Sequence, residues 1–210
     1  MNINKFIQEV HENSVRHGWW ESERPISETI SLIHSEWSEA LEEARAGRPM
    51  EYVVVNEVRG GMNNYMEQVI YKKGDGPAYD REIEHGAKPE GIAVELMDGV
   101  IRILDLFGKY NITCTRATVQ MYIKATRQAN PLLNKQTPIS EIIAAAHSLT
   151  AKAGDAMLAG FEPSIALSPL EACMGLVMWW VSAQGEDTEA ILVAKHKYNL
   201  SRPYKHGKKF

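Results

Sequence analysis

The chain has 210 residues, 44% hydrophobic and 24% charged, with a formal net charge of −4; this is the make-up of an ordinary soluble globular protein with one sizeable core or two small ones. The slight acidity provides no general basic surface, which argues against nucleic acid as the main partner. Cys114 and Cys173 form neither a CxxC nor a zinc spacing and read as reduced buried thiols, and the absence of a signal-type N-terminus or an apolar run of about 18 residues leads to the expectation of a cytoplasmic protein with no membrane partner.

Residues 3–17 read as a short helix with Phe6, Val10 and Val15 inward. In the next segment Ile26, Ile30, Ile33, Trp37, Ala40 and Ala44 step by three and four, an apolar stripe framed by Pro25 and Gly47. Glu36, Glu39 and Glu43 fall beside that stripe, within about 60° of one another. Residues 48–87 differ: YVVVNEV (52–58) is β-prone, and Gly60-Gly61 and Gly74-Asp75-Gly76-Pro77 are turn signals, so a small β excursion is expected. Residues 90–109 return to helix. This helix is apolar on two opposite sides, as a central bundle helix is, yet Glu95, Asp98, Arg102 and Asp105 share an arc of about 80° on it. Charges on a central helix are costly unless paired or bound to metal. Further helices are expected at 114–129, 139–159, 169–184 and 187–199, before a basic tail at 201–210.

SETISLIHSEWSEALEEARAG (27–47) aligns without a gap on SEIIAAAHSLTAKAGDAMLAG (140–160), with eight of twenty-one positions identical. His34 falls on His147, but Glu36 falls on Leu149 and Glu39 on Lys152. Likewise ELMDGVI (95–101) aligns on EACMGLV (171–177), keeping an acid at Glu171 but placing Met174 against Asp98. The expected architecture is therefore all-α: one helical bundle with a pseudo-twofold internal repeat. Its active unit spans 20–130 and carries the 48–87 insertion; a second, degenerate unit, at 138–200, keeps only Glu171 of the four acid positions. The shared position of His34 and His147 favours a structural role for both, and Trp37, on the apolar stripe, reads as core.

Carboxylates three apart share one helix face, and two such pairs converging form a hard oxygen cage suited to Mg²⁺. The pairs Glu36-Trp-Ser-Glu39 and Glu95-Leu-Met-Asp98, followed by KHKYNLSRPYKHG (195–207), resemble the all-α nucleotide pyrophosphohydrolases. These are the MazG-like and dimeric-dUTPase-like group, which carries ExxE on one helix and ExxD on a later one. The likeness touches residues 27–47, 88–108 and 195–207. It departs at Ser35, where many members carry a further Glu, and in the longer gap over 40–94.

The resemblance implies hydrolysis of a nucleoside triphosphate to the monophosphate and diphosphate, with Mg²⁺ (or Mn²⁺) as cofactor, in a homo-oligomer (dimer or tetramer). Glu36, Glu39, Glu95 and Asp98 are the expected metal ligands, with Glu36 or Glu39 orienting the attacking water. Lys88, read at a helix start, and Lys195, Asn199 and Arg202 in the tail are the expected phosphate contacts. Glu43 and Asp105 are read as surface acids or additional ligands, and Arg102 as an ion-pair partner of Asp98, four residues earlier. Two alternatives stand beside this reading: a diphosphatase specific for dUTP or dCTP, and a nucleotide-sensing helical module without turnover.

Overall fold

The computed structural model describes residues 1–60, 65–74, 76–114, 124, 128 and 134–207. Helix α1 (Ile3–Arg16) is capped by Asn2, whose side chain accepts from the Lys5 amide, and buries Phe6, Ile7 and Val10. Helix α2 (Ile26–Arg45) buries Ile30, Ile33, Trp37 and Ala40, the stripe expected from its spacing. Strands β1 (Tyr52–Arg59) and β2 (Tyr65–Lys72) pair antiparallel, with Tyr52 opposite Lys72 and Arg59 opposite Tyr65. Helix α3 (Pro77–Glu84) precedes strand β3 (Pro89–Glu90), which pairs antiparallel with the other edge of β1. Helix α4 (Ile92–Lys109) follows, then α5 (Ile139–Leu158), the short α6 (Pro163–Ala166), α7 (Ser168–Ala183), α8 (Thr188–Leu200, capped by Asp187) and a 3-10 turn at Tyr204–Gly207. The helix expected at 114–129 falls almost wholly outside the described residues.

The all-α expectation is overturned. The chain is mostly helical but carries a three-stranded antiparallel sheet in the order β2-β1-β3, which makes the fold mixed. The physical reason is that the β-prone segment is built into the body rather than looped out from it. Tyr52 and Val53 are buried, and Glu51 beside them is buried with the Lys73 ammonium and the Tyr79 hydroxyl as donors. The amides of Ile92 and Ala93 donate to the carbonyls of Pro49 and Met50. Gly91, at φ +119°, turns the chain there, and a Cβ on it would lie 2.5 Å from the Met50 oxygen. The sheet thus fixes where α4 begins. A second correction follows: Pro89 and Glu90 are strand, so Lys88 does not stand at a helix start.

Helix α4 runs through the centre. Leu96, Val100, Ile103, Leu104 and Phe107 are all buried, and α1, α2, α7 and α8 pack around it. The segment Pro163–Ala183 is long and apolar enough to cross a membrane (mean hydropathy 1.4), but 61% of it is buried in the fold, with Leu170, Met174 and Val177 in the core. Helices α2 and α5 pack with residues 113 apart facing each other. The Trp37 indole donates to Thr150 Oγ1 at 3.0 Å, and the rings of His34 and His147 stack at 5.0 Å with their Nδ1 atoms 2.7 Å apart. Burial, and for His34 also the facing His147, holds both imidazoles below their ordinary pKa. One neutral ring can then donate to the other, an arrangement two imidazolium ions could not share.

Trp37 also sets the spacing of α2 and α4. A Cβ on Gly99 would lie 2.3 Å from the Trp37 ring, so the glycine admits the indole between the helices. Gly99→Ala is expected to cost about 1–3 kcal/mol through overpacking, read as a lower urea midpoint at unchanged slope. An unchanged midpoint would show that the ring has another place to go.

Candidate metal centre

The Trp37–Gly99 contact brings together the residues just before it, Glu36 on α2 and Asp98 on α4. One turn away on each helix lie Glu39 and Glu95. One carboxylate oxygen from each of Glu36, Glu39 and Glu95 lies within 4.8 Å of the others. Two ligands on opposite sides of Mg²⁺ stand roughly 4.2 Å apart, so small side-chain rotations would close this trio on one ion. Glu36 and Glu95 are buried while Glu39 is exposed, leaving one side open.

Two cations approach from behind. Lys195 of α8 is 2% exposed, with its ammonium 3.2 Å from Asp98 Oδ2 and 3.8 Å from Glu95 Oε2. Arg102 donates from Nε to Glu36 Oε1. Their effects differ among the acids. Burial, reinforced by Asp98 and Glu39, pushes Glu36 up to about 7 despite Arg102. Burial likewise raises Glu95 to about 6 against the pull of Lys195. At Asp98 burial is overcome by Lys195, Arg102 and hydrogen bonding from the Lys195 and Asn199 side chains, and the carboxyl stays below its usual range. Lys195 is held as ammonium, since Asp98 and Glu95 outweigh its desolvation.

Four carboxylates thus gather around Lys195 and Arg102, with the Lys88 charge also acting on Glu95, and hard carboxylate oxygens suit Mg²⁺ or Mn²⁺. The residues present fit the ion that the sequence suggested.

The expected site residues divide into three groups. Glu36, Glu39 and Glu95 meet, and Asp98 stands beside them, held by Lys195. Lys195 and Asn199, expected as phosphate contacts, lie on α8, the helix expected at 187–199, and are buried behind the acids. Arg202 is half-buried, its guanidinium 6.0 Å from the Tyr198 ring and its carbonyl accepting from His17 Nε2 at 2.9 Å. Lys88 is exposed and pairs with Glu90 at 3.2 Å, and its charge also acts on Glu95. Glu43 accepts from the Tyr52 hydroxyl at 2.9 Å, and Asp105 accepts from the Trp20 indole at 3.0 Å and lies 2.7 Å from His11 Nδ1, so both are structural acids. Ser35 donates to its own helix, to Leu32 O at 2.8 Å.

A cleft of about 100 Å³ opens beside Asp98 and Arg102, lined also by Asn13, Trp19, Arg24 and Arg202. The Arg24 guanidinium lies 5.1 Å above the Trp19 ring and its Nε is 2.7 Å from Glu28. Asn13, Trp19 and Arg24 were not singled out in the sequence. For Trp19 and Arg24 the signal was the aromatic and charged run HGWWESER (17–24), too short to show helix periodicity and placed between two helices, whereas Asn13 is a polar residue on the buried face of α1.

The Glu36 pKa gives a testable sign. With its folded pKa raised from 4.5 to about 7, this group contributes its stability below 4.5 and loses it as pH rises through 7. A divalent cation binds the ionised form, so thermal stabilisation by Mg²⁺ should grow between about pH 5 and pH 8. Glu36→Gln should flatten that growth; a pH-independent Mg²⁺ effect in the unaltered protein would remove Glu36 from the ligand set. Compared with known proteins, the chain matches no family model, and neither a curated protein nor a solved structure gives a significant match.

Proposed function

We propose that the protein is a Mg²⁺-dependent nucleoside triphosphate pyrophosphohydrolase of the MazG-like and dimeric-dUTPase-like kind, converting (d)NTP and water to (d)NMP and diphosphate. The observation that carries this reading is the meeting of Glu36, Glu39 and Glu95 from ExxE and ExxD helices, within 4.8 Å, beside an arginine-lined cleft. Glu36, Glu39 and Glu95, with Asp98 adjacent, would hold the cation, which when bound neutralises charge developing on the phosphate oxygens.

The chain's own groups have distinct tasks. Glu39 faces solvent and would accept a hydrogen bond from the attacking water, orienting its lone pair on the α-phosphorus. As that oxygen bonds to the α-phosphorus its proton passes to the Glu39 carboxylate; the bond to the bridging α–β oxygen breaks, and diphosphate leaves with the electron pair. Arg102, Arg202 and Arg24 border the cleft, and guanidinium forks fit phosphate oxygens in pairs. Arg102 spends one N–H on Glu36, which ties phosphate binding to the acid cluster. Lys195 keeps Asp98 ionised and in place rather than reaching for phosphate.

The test is incubation with each NTP and dNTP in Mg²⁺, separating diphosphate from orthophosphate. Diphosphate release is expected. Glu39→Gln should lower kcat by about a hundredfold or more with an unchanged thermal midpoint. Orthophosphate as the product would mean that another bond is cut, and a near-normal rate in Glu39→Gln would take the water-orienting role from Glu39.

A further inference from the structure

The hairpin of β1 and β2 carries its amphipathicity the wrong way round for a sheet that faces only water. Cross-strand partners share a face, and the register sorts the side chains into two sets. Val54 opposite Ile70, Asn56 opposite Gln68 and Val58 opposite Met66 form the outer face, and all six are exposed. On the inner face Val53 is buried, and Val55, Glu57, Val69 and Tyr71 are half-buried. The charges at the heart of the hairpin lie on that inner side and pair among themselves. Arg59 Nη2 is 2.7 Å from Glu57, its Nε is 3.3 Å from Glu67, and the Tyr71 hydroxyl donates to Glu57. Between Val54 and Ile70 the outer face carries no charge among the described residues. An antiparallel sheet with one solvated face ordinarily turns polar residues outward and apolar ones inward. Here Val58 and Met66 stand side by side, 61% and 64% exposed, while glutamates occupy the inner face. Adjoining exposed apolar side chains of this kind mark a surface that another molecule covers.

The pattern points to its partner through its own symmetry. Each strand reads apolar, amide, apolar along the outer face. Lay a second hairpin on the first across a twofold axis parallel to the strands, and β1 of one copy lies over β2 of the other. Val58 then meets Met66, Val54 meets Ile70 and Asn56 meets Gln68, each pair drawn from opposite copies. Smaller side chains face larger ones, as interdigitating layers require. The amides of Asn and Gln both donate and accept, so a pair of them is self-satisfying. No charge is placed against an apolar group or against a like charge. An unrelated partner would have to reproduce this grid, whereas a second copy does so by construction. We propose that the outer face of the hairpin is an interface with a second copy of this chain, the two hairpins packing face to face as a small sandwich. It does not depend on the chemistry at the acid cluster, and it gives a surface to the homo-oligomer that the resemblance implied. Six side chains per copy cover less than the roughly 800 Å² per partner of a standard interface, so the association is weak and governed by concentration.

The test is analytical ultracentrifugation of the full chain over roughly a hundredfold range of concentration, up to about 0.3 mM. The sedimentation coefficient should rise with concentration. Val58→Lys and Met66→Glu should each weaken the association about tenfold or more, since a charge is then buried against an apolar side chain. The thermal midpoint should hold in both, because both positions are exposed in the single chain. An equal mixture of the two variants should recover the association, the ammonium introduced in one copy facing the carboxylate introduced in the other. A misfolded variant could not be recovered in this way. A chain that stays monomeric at every concentration overturns the proposal and leaves the face to a different protein. An association that neither substitution weakens overturns it by placing the contact elsewhere. A mixture as weak as its components removes the stacking of β1 on β2.

Discussion

A central helix that carries ionised groups through the core imposes the constraint on which the remaining structure depends. Burying a carboxylate costs several kcal/mol unless a partner offsets it, and α2 and α4 bring four to one place. Lys195 and Arg102 offset part of that cost, unevenly. Asp98 is held ionised, while Glu36 and Glu95 are lifted toward neutrality. An ordinary core would replace such a cluster with apolar residues of similar volume and lose nothing in stability. Two of these acids are buried at a point where the third, Glu39, opens to solvent, and this arrangement makes sense for a group that arrives from outside carrying positive charge.

The sheet serves that cluster indirectly. β3 and the turn at Gly91 fasten the first turn of α4 to the backbone at Pro49 and Met50, a few residues beyond the end of α2. The two acid-bearing helices are thus joined at one end by backbone hydrogen bonds and in the middle by Trp37 against Gly99. Both fastenings limit how far the helices can slide, and a slide of one residue would carry Glu95 away from Glu36. The stretch that reads as an insertion is part of the clamp that keeps the carboxylates in register.

Local spacing made the acid pairs and the apolar stripe of α2 legible, because three- and four-residue steps are properties of the helix itself. The offset of 113 also pointed to helices of equal length at 26–45 and 139–158, whose histidines touch. What could not be read was tertiary in origin. Ile191, Leu192, Lys195, His196 and Asn199 share the inward face of α8, so an apolar stripe continues as polar residues. Without knowledge of the acids opposite, Lys195 looks like the start of an exposed basic tail. The two-residue strand Pro89–Glu90 is too short for any periodicity, and only its pairing with Tyr52 and Val53 defines it. Arg102 was assigned to Asp98 by the four-residue rule, but the longer reach to Glu36 on the neighbouring helix took its Nε.

The chain end closes the design. The Lys205 amide donates to the His17 carbonyl at 3.0 Å, Tyr204 donates to Glu21, and the Tyr204 ring lies so close to Gly18 that a Cβ there would stand 2.3 Å from it. The His17 ring lies between two backbone carbonyls, with Nδ1 2.8 Å from Asn13 O and Nε2 2.9 Å from Arg202 O. The loop carrying Trp19 and Arg24 is therefore stitched to the segment carrying Arg202, across more than 180 residues of sequence. Two of the three guanidinium groups at the cleft depend on this stitch, while the third, Arg102, belongs to the rigid central helix. A ligand that engages all three ties the terminal segment to the core.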